Sequence, residues 1–324
     1  MAGMMPSEVR RLIDANLNRS AEGLRLLEDI ARFLLNDSTM TESIRDTRHL
    51  LLGRDLELDK KLIEARDAAG DVGSEIVENE RRDLAQLIVA NAHRVQESLR
   101  VLEELAKEES GLDSAVFKKA RFFVYGLEKE LLSRVLRKDK KEALRGLYLL
   151  FKGTGCLPEE ILFGAVTALE LDGEGLSPVE FLALAKKLTA ICRRRSTLLI
   201  IKSRLDVALA CRADGLVIGV QDLPVDEIRA LMPLDMLLGV MVDDLSFLDQ
   251  FKSRGADFAV LGFRSDAVDK VATTERYADF PIVIRGAPMD SARSLLSLDM
   301  AVAIPQEELS WDLVDYLRGR DCAE

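Results

Sequence analysis

The chain of 324 residues has 45 Lys and Arg against 56 Asp and Glu, and it has few aromatic residues and four cysteines. Its formal net charge of -11 argues against nucleic acid or an anionic membrane as a partner, since both attract a surplus of Lys and Arg. One Trp and 5% aromatic residues leave few surfaces on which bases could stack. The length is nevertheless sufficient for two domains, each with its own core.

Segments that would send the chain into or across a membrane are also missing from the sequence. The longest apolar runs, such as "LYLLF" and "MLLGVMV", are too short to span a bilayer. The first residues, "MAGMMPSEVRR", lack the apolar core of a signal peptide. The four cysteines lie far apart and form no CxxC pair, so we expect reduced thiols. Together these absences predict a cytoplasmic protein.

The two halves of the chain follow different hydrophobic patterns. From residue 6 to about residue 137, apolar residues recur at three- and four-residue spacing, as in Leu24, Leu27 and Ile30. Past Gly146, short apolar runs alternate with helical patterns. The charged segment between them, "RKDKKEALRG" (137–146), predicts a linker. The expected domains are therefore residues 1–140 and residues 146–324.

The second half contains eight short apolar runs, each followed by a helix-like segment. The runs are "LYLLF" (147–151), "VTALELD" (166–172), "TLLIIK" (197–202), "GLVIG" (215–219), "MLLGVMV" (236–242), "FAVLGF" (258–263), "PIVIRG" (281–286) and "MAVAIP" (300–305). This alternation indicates a parallel sheet closed into a barrel, with an open doubly wound sheet as the alternative. The predicted fold class is α plus α/β: an all-helical N-terminal domain followed by a small (β/α)8 barrel of TIM type.

The helical half carries one polar helix twice, 75 residues apart. "DANLNRSAEGLRLLEDIARF" begins at Asp14 and "VANAHRVQESLRVLEELAKE" at Val89, and nine residues are shared, among them one Asn, two Arg and two Glu. Helical rotation places an Asn, an Arg and a Glu of each copy within one sector of about 120°. These candidate catalytic residues are Asn16, Arg19 and Glu22 in the first copy and Asn91, Arg94 and Glu97 in the second.

Such a set suits phosphoryl transfer, which needs mainly positioning and charge neutralisation. A guanidinium group offers a planar fork to phosphate oxygens, and Asn or Glu can hold Mg2+ through oxygen. The alternative is an internal salt-bridge network that ties the two copies together without any role in catalysis. We infer that both copies face one cleft, although the spacing alone leaves both interpretations open.

The helical half resembles the helical domain found at the N-terminus of some thiamine-phosphate synthases. The segments that carry the resemblance include "IDANLNRSAEGLRLLEDIARF", "ARDAAGDVGSEI", "VANAHRVQESLRVLEELAK" and "FKKARFFVYGLE". The resemblance implies hydroxymethylpyrimidine-phosphate kinase activity, with ATP and Mg2+ as cofactors and a small phosphorylated pyrimidine as substrate. A homodimer is compatible with the resemblance. The resemblance also implies further phosphate-binding residues, which are Arg48, Arg66, Asp67, Gly70, Asp71, Gly73, Arg81 and Arg121.

The second half resembles thiamine-phosphate synthase, which joins hydroxymethylpyrimidine diphosphate to thiazole phosphate and releases pyrophosphate. "LYLLF", "RLDVALACRADGLVIGVQDLP", "LLGVMV", "RGADFAVLGF" and "FPIVIRG" carry this resemblance. The family's Gln-x-Arg-Glu-Lys is here "ELDGE" (170–174), and its Asn-Asp is Lys202-Ser203. Of the two metal carboxylates of the family, only Asp222 remains as a candidate ligand.

The phosphate end of the barrel also departs from the family pattern. The Gly-rich turn after the seventh run keeps only Gly286, although Arg285 adds a cation. Pro305 lacks a backbone donor, and Glu307 and Glu308 would repel an anion. We therefore expect an active helical kinase domain and a barrel that has lost its synthase activity. The alternatives are a working synthase with an altered phosphate site and a non-catalytic binding or scaffold protein.

Overall fold

A computed structural model describes residues 6–53, 56–66, 83–108, 112–154, 157, 165–265 and 280–321. The chain divides into two compact units, Met1–Leu136 and Arg137–Glu324. The first is helical and the second contains all the described strands. No described helix combines the length and the apolar character that crossing a membrane requires.

The first unit is a helical bundle in which apolar residues at three- and four-residue spacing form the core. Ile13, Leu17, Leu24 and Leu27 of the first helix are all buried. The all-helical prediction is confirmed for the described residues. The helices are α1 (Ser7–Asp29), continued by one π-helical turn (Ile30–Leu34), α2 (Ser38–Leu52), α3 (Leu56–Glu64), α4 (Leu84–Glu108) and α5 (Ser114–Glu142).

Helices α1 and α4 contain the two copies of the repeat, and they pack closely against each other. A Cβ atom added at Gly23 would lie 2.5 Å from Val95 Cγ2 and 3.2 Å from the carbonyl oxygen of Asn91. Only a residue without a side chain allows this approach, because real Cβ atoms keep longer distances. The two repeated helices are thus each other's main packing partners.

Residues 137–142 of the segment predicted as a linker are the end of a helix, and residues 143–146 form a turn. Helix α5 continues to Glu142, and the division between units falls after Leu136 rather than at residue 140. Arg137, Lys140 and Arg145 of the segment each have an acidic partner within the second unit. Arg137 Nη1 lies 3.2 Å from Asp257 Oδ2, and Lys140 Nζ donates to the carbonyl oxygen of Asp235 at 2.9 Å. Charge here therefore reflects ion pairing rather than a solvated linker.

The second unit is a closed barrel of eight parallel strands, each paired with its neighbours in chain order. This arrangement confirms the predicted barrel and contradicts the alternative of an open sheet, because β1 pairs with both β2 and β8. The strands are β1 (Leu147–Phe151), β2 (Val166–Leu171), β3 (Leu198–Lys202), β4 (Gly215–Ile218), β5 (Leu237–Val242), β6 (Phe258–Gly262), β7 (Ile282–Arg285) and β8 (Ala301–Pro305).

Helices surround the barrel, and side chains fill its interior. The described helices are α6 (Pro178–Arg195), α7 (Leu205–Cys211), α8 (Val225–Leu231), α9 (Leu248–Ser253), α10 (Met289–Ser297) and α11 (Trp311–Asp321). Alternate strand residues, such as Tyr148, Ile200 and Phe258, point inward and form one buried cluster. The intervening residues pack beneath the helices in a second cluster. The interior is therefore a packed core except at one end.

The described cysteines are free thiols. Cys192 and Cys211 are buried, and burial raises the pKa of Cys192 to about 12. A thiol with such a pKa stays protonated at neutral pH and is unreactive. Both residues are core side chains, as the expectation of reduced cysteines requires.

Candidate functional site

The repeated polar residues fall into two groups with different surroundings. Asn16 and Asn91 are buried, and each side-chain amide donates to a carbonyl oxygen one turn earlier in its own helix, Leu12 at 2.7 Å and Leu87 at 2.9 Å. The two asparagines therefore satisfy their amide groups locally, and Asn91 lies where α1 and α4 pack.

The charged members of the predicted stripe lie toward solvent. The side chains of Arg19, Glu22 and Glu97 are exposed, and that of Arg94 is half-buried. Within the described part of the chain, none of these four residues has a hydrogen bond or an ion pair. No described residue therefore neutralises these four charges.

A second charged set of the repeat forms a buried ion-pair network. Glu28 is 1% exposed and accepts from Arg48 Nε at 3.0 Å and from Arg45 Nε at 3.4 Å, while Arg25 Nη1 lies 3.5 Å away. Burial alone would raise the pKa of Glu28, but the hydrogen bonds and charges of these arginines outweigh it and lower the pKa. Glu28 therefore remains ionised and joins α1 to α2.

The second copy reproduces this network with equivalent residues. Glu103 accepts from Arg100 Nη1 at 3.1 Å and from Arg121 Nη2 at 2.9 Å. Arg121 also donates to the hydroxyl of Tyr125 at 3.1 Å. Burial acts to raise the pKa of Glu103, yet Arg121 and Arg100 lower it. The repeat thus builds the same structural ion pair twice, joining α4 to α5.

These contacts bear on Arg48 and Arg121, both predicted to bind phosphate. Each guanidinium group is held by a buried carboxylate, Glu28 or Glu103, so a structural role is shown and phosphate binding stays a prediction. The sequence prediction overlooked the two glutamates as partners. The signal was present, since Glu28 and Glu103 are among the nine shared positions of the repeat.

Arg66, the first residue of the predicted phosphate loop, is fixed by the first repeated helix. Its Nε and Nη2 atoms donate to the two carboxylate oxygens of Asp14 at 2.6 Å and 3.0 Å. A bidentate pair of this kind fixes the orientation of both groups. The other predicted loop residues lie outside the described residues: Asp67, Gly70, Asp71, Gly73 and Arg81.

A cavity of about 290 Å³ opens at the carboxyl ends of β1, β2, β7 and β8. This end of a parallel barrel is where active sites of such folds lie. The lining residues are Leu150, Phe151, Lys152, Glu170, Asp172, Arg285, Gly286, Pro305, Glu307 and Glu308.

The floor of this cavity is a buried acid. Glu170 is 1% exposed, and its Oε2 atom accepts a hydrogen bond from the hydroxyl group of Tyr148 at 2.9 Å. Arg285 Nη1 lies 3.5 Å from Glu170 Oε1. Burial raises the pKa of Glu170 despite the charge of Arg285, and burial together with Glu170 raises the pKa of Tyr148 well above its usual value. The sequence indicated Glu170 and Arg285 as departures from the family but not Tyr148.

Three described cations at this end of the barrel, Lys152, Lys202 and Arg285, face carboxylates. Lys202 Nζ donates to Asp172 at 2.6 Å, and Lys152 Nζ lies 3.9 Å from Glu307. With Arg285 beside Glu170, each of these cations has an acidic neighbour. A phosphate group entering the cavity would have to compete with these carboxylates.

Asp222, the predicted metal ligand, organises a turn after β4. Its Oδ2 atom accepts from the Gly219 amide and from Ser203 Oγ, both at 2.8 Å. Asp222 does not cap α8, because Pro224 occupies the cap position of that helix and no side chain caps it. Among the described residues, no group of three or more His, Cys, Asp or Glu side chains is placed to hold a metal ion. The metal role of Asp222 stays a prediction.

Comparisons with known proteins match both units. The ThiD2 family model matches residues 11–130, and the thiamine monophosphate synthase model matches residues 156–272. Thiamine-phosphate synthase of Prochlorococcus marinus is 34% identical over 267 residues, covering 78% of this chain and 75% of that protein. The Synechocystis enzyme of the same name is 34% identical over 270 residues, covering 79% and 75%.

A solved structure, thiamine phosphate pyrophosphorylase from Pyrococcus furiosus, is 24% identical with a TM-score of 0.47, covering 55% of this chain and 94% of that one. The curated relatives extend across both the helical unit and the barrel at 34% identity. The chain therefore belongs to the thiamine-phosphate synthase family, in a form whose helical half matches ThiD2.

Proposed function

We propose that this member of a thiamine-biosynthetic family is a phosphotransferase. In this proposal the helical unit transfers the terminal phosphoryl group of ATP to hydroxymethylpyrimidine phosphate, giving the diphosphate and ADP. The barrel does not form thiamine phosphate. The match of residues 11–130 to the ThiD2 family supports the assignment of the activity to the helical unit.

The charged residues of the repeat that have no partner among the described residues carry this proposal. Arg25 and Glu28 of the first copy have structural partners, and so do Arg100 and Glu103 of the second. Arg19, Glu22, Arg94 and Glu97 recur in the same way but have none within the described residues. A salt-bridge network explains the first set and leaves the second unexplained, whereas a phosphate ligand explains the second.

The repeat also favours a single site built from both copies. The offset of 75 residues relates the contact of Gly23 with Val95 to one between Ser98 and Ser20, and both serines are buried. These contact positions run in opposite directions along α1 and α4, as in an antiparallel pair. The twofold relation of such a pair keeps equivalent residues on one side, so the two arginines would share a face.

The proposed phosphoryl transfer requires mainly positioning of the substrates and neutralisation of phosphate charge. Arg19 and Arg94 would neutralise the oxygens of the transferring and anchoring phosphates. The carboxylates of Glu22 and Glu97 are hard oxygen ligands that suit Mg2+, which supplies charge neutralisation between phosphate groups when bound. A covalent nucleophile is not required for this transfer.

The test is an assay of the full chain with hydroxymethylpyrimidine phosphate, ATP and Mg2+, following the diphosphate product. We expect Arg19→Ala and Arg94→Ala each to lower kcat on the order of 100-fold, as the loss of a transition-state contact does. Arg25→Ala and Arg100→Ala are matched controls on the same helices and should keep kcat within about twofold, because they touch only the structural network.

Two results would overturn the assignment. One is an unaltered chain that forms no diphosphate. The other is a pair of variants, Arg19→Ala and Arg94→Ala, that melt earlier than the controls yet keep their specific activity, since that outcome identifies the stripe as structural. The melting temperature is therefore measured on the same preparations.

A second candidate function is thiamine-phosphate synthase itself, favoured by relatives of that name that match across both units. The paired cations of the barrel cavity argue against it. Supplying hydroxymethylpyrimidine diphosphate and thiazole phosphate distinguishes the two, because formation of thiamine phosphate requires a competent barrel. A chain that carries out neither reaction would be a binding or scaffold protein.

A further inference from the structure

The cavity at the end of the barrel has the wrong charge for a phosphate ester. We propose that it binds a small organic cation, a primary ammonium or an amidinium group, on the carboxylate of Glu170. This inference concerns the barrel alone and does not depend on phosphoryl transfer by the helical unit.

Glu170 offers an unsatisfied acceptor at the floor of the cavity. Its side chain is 1% exposed and lines the cavity. The Oε2 atom accepts from Tyr148, whereas Oε1 receives no hydrogen bond from any described residue. The nearest cation, Arg285 Nη1, is 3.5 Å from Oε1 and forms an ion pair without hydrogen-bond geometry. Buried acceptors are normally satisfied, so this oxygen is open to a donor from a ligand.

The walls of the cavity strengthen the preference for a cation. The lining carboxylates of Glu170, Asp172, Glu307 and Glu308 outnumber the lining cations, Lys152 and Arg285. A concave site with surplus negative charge raises the local concentration of cations and repels anions. Pro305, at the end of β8, offers no backbone donor to a phosphate oxygen.

The dimensions limit the ligand to a small molecule. The volume of about 290 Å³ lies at the lower end of the range for small-molecule sites. The apolar residues Leu150 and Phe151 are part of its lining. A compact planar ligand with one charged N–H group would contact the apolar lining residues and donate a hydrogen bond to Glu170.

The experiment uses benzamidine as the probe and isothermal titration of the full chain. We expect saturable binding to the unaltered protein that weakens at least about tenfold in Glu170→Gln, because a charged hydrogen bond is lost while the shape is kept. Glu174→Gln is the matched control, since Glu174 is exposed and lies outside the cavity lining. Its affinity for benzamidine should equal that of the unaltered chain.

A second variant gives a result of opposite sign. Arg285→Gln removes the cation that faces Glu170 Oε1, so benzamidine should bind more tightly. If the cavity instead held an anion on Arg285, inorganic pyrophosphate would displace benzamidine and this variant would lose pyrophosphate binding. That result, an absence of benzamidine binding, or equal affinity in Glu170→Gln and the unaltered protein would overturn the proposal.

Discussion

Two buried glutamates show how the surroundings of one residue type set opposite electrostatic behaviour. Glu28 lies among three arginines, and their hydrogen bonds and charges lower its pKa against the effect of burial. Glu170 lies inside the barrel with one hydrogen-bond donor, and burial raises its pKa. The first carboxylate is a structural charge, whereas burial disfavours the ionised form of the second.

Glu28→Gln should destabilise the helical unit at neutral pH by about 2 kcal/mol, because the charge-assisted bonds from the half-buried Arg45 and Arg48 to the buried carboxylate are lost. The folded-state pKa of Glu28 lies below its unfolded value. Its stabilising contribution is therefore complete above the unfolded pKa and is lost as pH falls through the folded pKa. Thermal unfolding between about pH 3 and about pH 8 should show a smaller acid dependence in the variant.

The matched control for this substitution is Glu22→Gln, on the same helix. Glu22 is exposed and has no partner among the described residues. The melting temperature of the Glu22→Gln variant should therefore barely differ from that of the unaltered chain. Equal destabilisation of the two variants would contradict the structural role of the buried network.

Glu170→Gln should have the opposite effect and stabilise the barrel at alkaline pH. The folded-state pKa of Glu170 is raised, so folding becomes less favourable as pH rises and the buried carboxyl ionises. The amide keeps an acceptor for Tyr148 without a buried charge. The gain in melting temperature should fade as pH falls below the folded pKa. A variant less stable than the unaltered chain at every pH would show that the charge of Glu170 is needed for folding.

The sequence could not separate the structural charges of the repeat from the available ones. Arg19 and Arg25 both recur 75 residues later, and both lie on the polar side of α1. What distinguishes them is a partner from another helix, because Glu28 is shared by Arg25 and by Arg48 of α2. Periodicity describes one helix at a time and contains no information on such a partner.

At the level of elements, the close packing of α1 on α4 gives a direct test. Gly23→Ala should destabilise the helical unit by about 1–3 kcal/mol, because the new Cβ atom would lie 2.5 Å from Val95 Cγ2. Gly126→Ala is the matched control within α5, where no atom lies within 4 Å of the added Cβ atom. It should stabilise the chain by about 0.5–1 kcal/mol through helix propensity. Urea unfolding of both variants measures the difference, and equal effects would contradict the helix contact.

The strands were predictable to within one residue at each end, whereas the end of α5 was not predictable. Parallel strands buried on both faces appear in sequence as continuous apolar runs, so the pattern is local. The segment 137–142 is charged because Arg137 and Lys140 pair with Asp257 and Asp235, about a hundred residues further along the chain. A solvated linker has the same composition, and the sequence contains no sign of the distant partners.

For the whole molecule, the contacts of the segment after Leu136 define where the chain can be divided. Arg137 is 9% exposed and pairs with Asp257, which is 6% exposed and also bonded to Arg229. Leu144 is fully buried in the cluster that fills the barrel. Residues 137–146 therefore pack as part of the barrel unit.

We expect residues 137–324 to fold as an independent barrel and residues 147–324 to fail. Loss of residues 137–146 leaves the buried carboxylate of Asp257 without Arg137, which should cost about 3 kcal/mol. It also leaves a cavity in place of Leu144 in the core, which should cost about 2–5 kcal/mol more. Together these losses are about as large as the free energy of unfolding of a domain. Circular dichroism and thermal unfolding of the two fragments measure the difference. The double substitution Arg137→Ala with Leu144→Ala in the longer fragment should reproduce the loss. Lys138→Ala should leave unfolding unchanged, because Lys138 is half-buried and its ion pair, at 3.9 Å, is long. A cooperative transition for residues 147–324 would show that the end of α5 only adjoins the barrel and does not complete it.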